Sequence, residues 1–319
     1  GARYTHDSVT NAPGLAFDPS TLDQGLFSAF LQDELALGAD LVLTAGSKLE
    51  HNDYTGFEWE PSARLKWDLA PGQMLWTAVS RAVRAPSRVD RDILLPTPNF
   101  SPIVDDLLVG GKDFQSETLV AYELGYRAEL AKGLSTSASA FFNNYDDIRS
   151  TSLSPPNAFL LPFPLYYANN LAAQTWGLEL TTDWQAAPGW RLHLGYDLLQ
   201  EKVWVKHGQF DFNNALNETA DPRNQFFLRS PLDLPAGFEL DPAFRFVDSL
   251  TYNASGAAAV VPSYAELDLR LGWRATSQLE LSVTGQNLLH DHHLEYVISS
   301  PNPQENVVRR VYGEIQCRL

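Results

Sequence analysis

Between residues 57 and 69 the chain alternates between two kinds of side chain. Phe57, Trp59, Pro61, Ala63, Leu65, Trp67 and Leu69 stand against Glu58, Glu60, Ser62, Arg64, Lys66 and Asp68. A period of two puts the first set on one face of a β-strand and the second on the other. Pro61 weakens the pattern locally, because proline cannot donate to a ladder. The same alternation recurs at 41–50, 120–130, 176–184, 265–273 and 279–284. It predicts about 14 strands, over 2–9, 25–37, 40–50, 57–69, 73–84, 118–130, 134–147, 173–185, 190–203, 223–233, 237–249, 263–275, 278–288 and 308–319.

The connections between these strands alternate in length. Short ones fall at 37–40, 69–73, 131–133, 185–189, 233–237 and 275–278. Long ones fall at 10–24, 85–117, 148–172, 204–222, 250–262 and 290–307, with a brief one at 51–56 on the same side. Tight turns on one rim and long loops on the other are the layout of a transmembrane β-barrel. Several strands reach about 10–13 residues, enough for a tilted strand to cross a bilayer, whereas strands of a soluble sandwich average about 5–6. The predicted fold is therefore all-β, an antiparallel up-and-down transmembrane β-barrel with a charged face toward a wide lumen. An even number of strands places both ends of the chain on the short-turn rim, which in bacterial barrels is periplasmic.

Composition narrows the functional classes. Hydrophobic residues make up 44% of the 319 residues, yet no run approaches the roughly 20 apolar residues of a membrane helix. Aromatics reach 12% and cluster near strand ends, as in interfacial girdles. A net charge of −16 argues against a nucleic-acid partner, which needs a basic patch. The acidic excess can line loops or a lumen, or serve only solubility. Cys317 stands alone, so no intramolecular disulfide or cysteine metal site is expected. The start of the chain, Gly1-Ala2-Arg3-Tyr4-Thr5, has no basic segment followed by an apolar run. A mature chain, or one cut from something longer, is expected.

Six stretches carry a family resemblance. Phe30-Leu31-Gln32-Asp33-Glu34 resembles an F-V-Q-D-E strand, and Ser80-Arg81-Ala82-Val83-Arg84-Ala85-Pro86-Ser87 an S-R-G-F-R-A-P-S segment. The run from Glu117 to Tyr126 resembles P-E-x-x-x-x-y-E-L-G-y, with Ser116 in place of the usual proline. Ala140 to Ile148, Gly285 to Leu289 and the final strand from Arg309 to Leu319 complete the set, in order. Together they resemble the TonB-dependent outer-membrane receptors. The resemblance implies an importer of scarce nutrients, such as an iron–siderophore complex, haem, cobalamin or glycans, lodged in the bacterial outer membrane and contacting its lipid. It also implies a 22-stranded barrel plugged by an N-terminal domain whose TonB box couples uptake to the inner-membrane proton gradient. Neither plug nor TonB box is found in this sequence. The expectation is a single barrel domain over 1–319, part of a longer receptor, reaching the TonB complex only through the absent plug. The chain ends in Leu319 where the family usually has Phe. The alternative is a free-standing, porin-like passive channel of about 14 strands, whose first and last strands would pair.

Candidate chemistry is sparse. There is no nucleophile–base arrangement, no HExxH and no phosphate-cradling glycine loop, so no enzyme and no cofactor are expected. Gly110-Gly111 reads as a turn, and the sequons at Asn217 and Asn253 as chance matches. Arg81, Arg84 and Arg88, near the top of a strand, can attract an anionic siderophore or a lipid phosphate. They can equally pair with Asp90 or Asp92. The loops at 159–167 and 204–212 offer Phe163, Tyr166, Tyr167, Trp204, His207, Phe210 and Phe212, which can hold a ligand by stacking or pack loop on loop. His290, Asp291, His292 and His293 contain residues that suit a first-row metal. Their spacing fits no closed zinc pattern, so a polar strand end is expected there and no metal site.

Overall fold

The computed structural model describes residues 1–96, 106–153, 164–216, 220–254, 257–296 and 306–317. Its wall is a meander of strands: β1 (Ala2–Ser8), β2 (Thr21–Ala36), β3 (Leu41–Asn52), β4 (Gly56–Ala70), β5 (Gln73–Arg84), β6 (Glu117–Ala131) and β7 (Leu134–Leu153). It continues through β8 (Leu165–Ala187), β9 (Trp190–Val205), β10 (Asn224–Arg229), β11 (Phe238–Val247), β12 (Tyr264–Arg274), β13 (Leu279–Gln286) and β14 (Arg310–Cys317). Each pairs antiparallel with the next. All the strands expected from the alternation are present.

The register keeps the two faces apart. Leu65 lies opposite Leu43 on one side and Thr77 on the other, while Arg64 lies opposite Thr44 and Ala78. The apolar set is not a core. Phe57, Trp59, Trp67, Tyr122, Trp176, Val283 and Ile315 are all exposed. The large side chains that are fully buried, Phe114, Leu171 and Val261, sit at or near the long-loop rim. An apolar belt facing out from a polar-lined wall is stable only against lipid. No helix among the described residues is long and apolar enough to cross a membrane, which leaves the strands to do so. The short turns tighten through glycines in the left-handed region, as at Gly133 (φ 76°) and Gly189 (φ 78°).

Two differences from the sequence expectation have clear causes. β7 and β8 pair as far as Leu153 and Leu165, well beyond the 147 and 173 expected. Register shifts between Tyr145 and Ser150 break the period of two, so alternation could not reveal the extension. The tenth strand is interrupted after Arg229 and resumes at Leu232–Asp233, because Pro231 has no N–H to donate. No ladder joins β1 to β14 among the described residues. The free-standing pore requires that pairing, and the structure does not supply it.

Candidate functional site

The long loops form a tied platform over the outer end of the wall. Ala16–Phe17, from the β1–β2 loop, pairs with Ile93–Pro96. That strand pairs with Asp106–Val109, which runs parallel to the start of β8 at Leu165 and Tyr166. Segments from two loops and the start of β8 thus share backbone hydrogen bonds.

Beneath them lies an ion network centred on Asp90, whose side chain is 0% exposed. A one-turn helix, α1 (Arg88–Arg91), begins at Ser87, and Ser87 and Asp90 form a reciprocal capping box. Asp90 also accepts from Arg84 at 2.9 Å and from Arg149 at 3.1 Å. Arg84 grips Glu117 with two bonds of 2.6 Å, a bidentate fork. Glu117 further accepts the Arg149 backbone N–H at 2.9 Å. Burial pushes the Asp90 carboxyl up, but Arg84 and the Ser87 N–H and hydroxyl more than offset this and hold it below its ordinary value.

A second branch runs through Arg88, itself buried, which pairs with Asp7 at 2.8 Å and Asp92 at 3.6 Å and lies 5.0 Å over the Phe17 ring. Tyr54 donates to Asp92 at 2.5 Å. Burial first, and then this bond, raise the Tyr54 hydroxyl well above its usual range.

The β9–β10 loop docks on the β7–β8 hairpin by the same means. Lys206 reaches Asp146 and Asp147 at 2.5 Å each. Asp211 accepts from the Thr151 and Ala215 N–H groups at 2.8 Å each. Asn170 holds the Phe210 carbonyl at 2.7 Å. These bonds fix the backbone and leave Phe210 and Phe212 exposed, at 45% and 53%. A cleft of about 160 Å³ opens beside them, lined by Arg149, Thr151, Tyr167, Asp211 and Asn213.

The residues singled out from sequence thus separate. Arg84 and Arg88 join one network. Arg81 lies opposite Val120 on the apolar, lipid-facing side and donates to the Trp59 carbonyl. Tyr167 lies under Arg149, 5.0 Å from the guanidinium; Tyr166, next in the strand, points to the opposite face. Trp204 is on the outward face of β9 with Lys202 5.7 Å from its ring. His207 is exposed. Phe163 falls outside the described residues. Sequence reading did not single out Glu117, Arg149 or Asp211. The Ser87-x-x-Asp90 spacing was the available signal for the cap, while the partners come from distant loops.

Other cavities lie elsewhere. One of about 360 Å³ on the inner wall is lined by Trp76, Glu123, Phe141, Asn143 and Glu179. Trp76 lies flat over Gly125 there, where any Cβ would enter its ring. Another, about 790 Å³, is at the short-turn rim around Asp68, Gln73, Arg127 and Glu129. Among the described residues no group of three or more His, Cys, Asp or Glu is arranged to hold a metal ion.

The chain is 30% identical over 192 residues to the iron-regulated outer membrane virulence protein of Vibrio cholerae, covering 57% of this chain and 28% of that protein. It is 30% identical over 150 residues to the ferric enterobactin receptor of Pseudomonas aeruginosa, covering 45% and 20%. Its fold matches the crystal structure of the siderophore receptor PirA from Acinetobacter baumannii with a TM-score of 0.75 at 17% identity, over 93% of this chain and 46% of that one. The chain therefore spans less than a third of the first of these relatives and about half of the solved receptor. The TonB dependent receptor-like β-barrel family matches residues 1–288; the chain belongs to that family and is an outer-membrane β-barrel.

Proposed function

We propose that this chain forms the outer-loop and wall portion of a receptor that takes up a ferric siderophore. Two of its relatives are named for iron regulation or for a ferric siderophore, and the family is one of transport receptors rather than enzymes. The observation that carries the reading is the docked β9–β10 loop. Its backbone is fixed by Lys206, Asn170 and Asp211, yet its Phe210 and Phe212 rings are left in solvent. Pre-set exposed aromatics beside a polar cleft suit a large ligand with aromatic or amide faces. Arg84 and Arg88 act here as struts for the platform, since Arg84 is held by Glu117 and Asp90 and Arg88 by Asp7 and the Pro19 carbonyl, and Arg81 faces lipid. Residues 1–319 are one barrel domain, and the open edges at β1 and β14 are the places where further wall strands would join. Coupling to TonB is assigned to a plug domain lying outside these residues. Nothing in the geometry favours the passive channel.

The test is uptake of radiolabelled ferric siderophores by iron-starved cells expressing the receptor that contains this chain. Phe210→Ala with Phe212→Ala should raise the half-saturating ligand concentration about tenfold, the effect of roughly 1.4 kcal/mol of lost contact, with surface expression unchanged. Uptake that is unaffected by deletion of the receptor would refute the reading.

A further inference from the structure

The connection between β13 and β14 is held to the wall by ionisable groups that the reading above does not use. Glu266, at the outer end of β12, is completely buried. Its Oε2 accepts the Leu289 N–H at 3.2 Å, and its Oε1 lies 2.8 Å from His290 Nδ1 and 3.2 Å from His293 Nδ1. The His293 side chain is 7% exposed and stacks on Tyr264, ring centroids 4.5 Å apart. Its other nitrogen, Nε2, lies 3.0 Å from Glu295 Oε1. Glu295 also pairs with Arg245 at 2.8 Å. Burial alone would raise Glu295, but His293 and Arg245 hold its carboxyl below the usual value, so it is an ionised acceptor.

His293 therefore has a carboxylate at each ring nitrogen. An ionised carboxylate only accepts, and a neutral imidazole has one N–H. Only the imidazolium can offer a proton to both. A neutral ring would set a lone pair against a carboxylate oxygen in a buried place, where such repulsion is poorly screened. The contact at Nδ1 is a charge contact without an aligned hydrogen bond, so it depends on that charge. The remaining ionisable neighbours do not remove the need for it. Arg245, from β11, is directed to Glu295 and to Asn287 at 2.9 Å. Asp268, from β12, accepts the Asn287 N–H at 2.8 Å. Asp291 pairs with Arg309 at 2.9 Å. Tyr264 supplies only its ring face to His293. His290 is half exposed and meets Glu266 through one nitrogen. Among the described residues no lysine or arginine forms an ion pair with Glu266; histidines face it instead.

We propose that His293, with Glu266 and Glu295, is a proton-operated latch that fastens residues 289–295 to the outer end of the barrel wall. Docking sets the charged ring between two carboxylates, contacts that the undocked segment lacks. By linkage, docking is strongest in acid and weakens as pH rises through the histidine range, roughly pH 5 to 8. The latch faces the medium outside the cell and works regardless of which ligand the receptor carries.

The test places a nitroxide at 292 by His292→Cys in a Cys317→Ser background, in the full receptor in outer-membrane vesicles, and follows spin-label mobility across that range. The parent should show a severalfold rise in the mobile fraction as pH increases. Glu295→Gln should stay immobilised throughout, because a glutamine amide can donate to the neutral ring. His293→Gln should lose the transition, and His290→Gln should keep it. Heat-modifiable gel mobility confirms that each variant is a folded barrel. Mobility independent of pH in the parent, or a transition unchanged in both His293→Gln and Glu295→Gln, would overturn the latch.

Discussion

At the scale of residues, the outer platform depends on a few carboxylates that answer several cations each. Asp90 receives Arg84, Arg149 and the Ser87 cap while wholly buried. Replacing it by alanine leaves two guanidiniums without their common partner and α1 without its reciprocal cap. Breaking a buried pair in this way costs about 3 kcal/mol or more. The expected result for Asp90→Ala is faster amide exchange at Gly111, whose N–H bonds the Asp90 carbonyl at 2.9 Å, with strand amides of the wall unchanged. The pH dependence follows from the same group. Its carboxyl is held below its unfolded value, so its contribution is complete above the ordinary carboxylate pKa and is lost as pH falls through the lower, folded one. The Gly111 amide should therefore lose protection only on strong acidification. A loss that began near neutrality would point to a different group.

At the scale of elements, each strand carries two unlike surfaces one residue apart. On β8, Leu180 lies opposite Ala138 and Tyr196 on the outward face, while Thr181 lies opposite Ser137 and Gly195 on the inward face. Leu180→Arg should cost about 2–4 kcal/mol, the range for a charge on the lipid side near the membrane midplane. Thr181→Arg should cost little, because its side chain reaches water. Denaturant titration of the barrel in vesicles separates the two, and equal effects would contradict the facing. The wall strands were legible in sequence because the register of one strand against the next preserves a period of two. Arg81 and Arg84, an odd number of positions apart, are sent by that period to opposite faces, although closeness in sequence made them look like one cluster. The outer ends of β7 and β8 were not legible, since bulges near Asp147 cancel the alternation.

At the scale of the whole molecule, the sheet has two edges that nothing among the described residues covers. β1 pairs only with β2, and β14 only with β13. Open edges are not viable in hydrocarbon, where every backbone group must be satisfied. For the 319-residue chain purified alone in detergent, amides of β1 and β14 should exchange faster than those of β6 to β8, and the chain should self-associate. A heat-resistant monomer with both edge strands protected would instead indicate a closed barrel of fourteen strands. By itself the sequence determined the strand count, the two faces, the rim to which each connection belongs and the family, because all of these are written in local alternation and in short motifs. Tertiary structure alone decided which arginines meet, that Phe210 and Phe212 stand on a fixed backbone, and that Glu266 finds His293. These are contacts between loops far apart in the chain, set by how the rim folds over itself, and no periodicity along the chain records them.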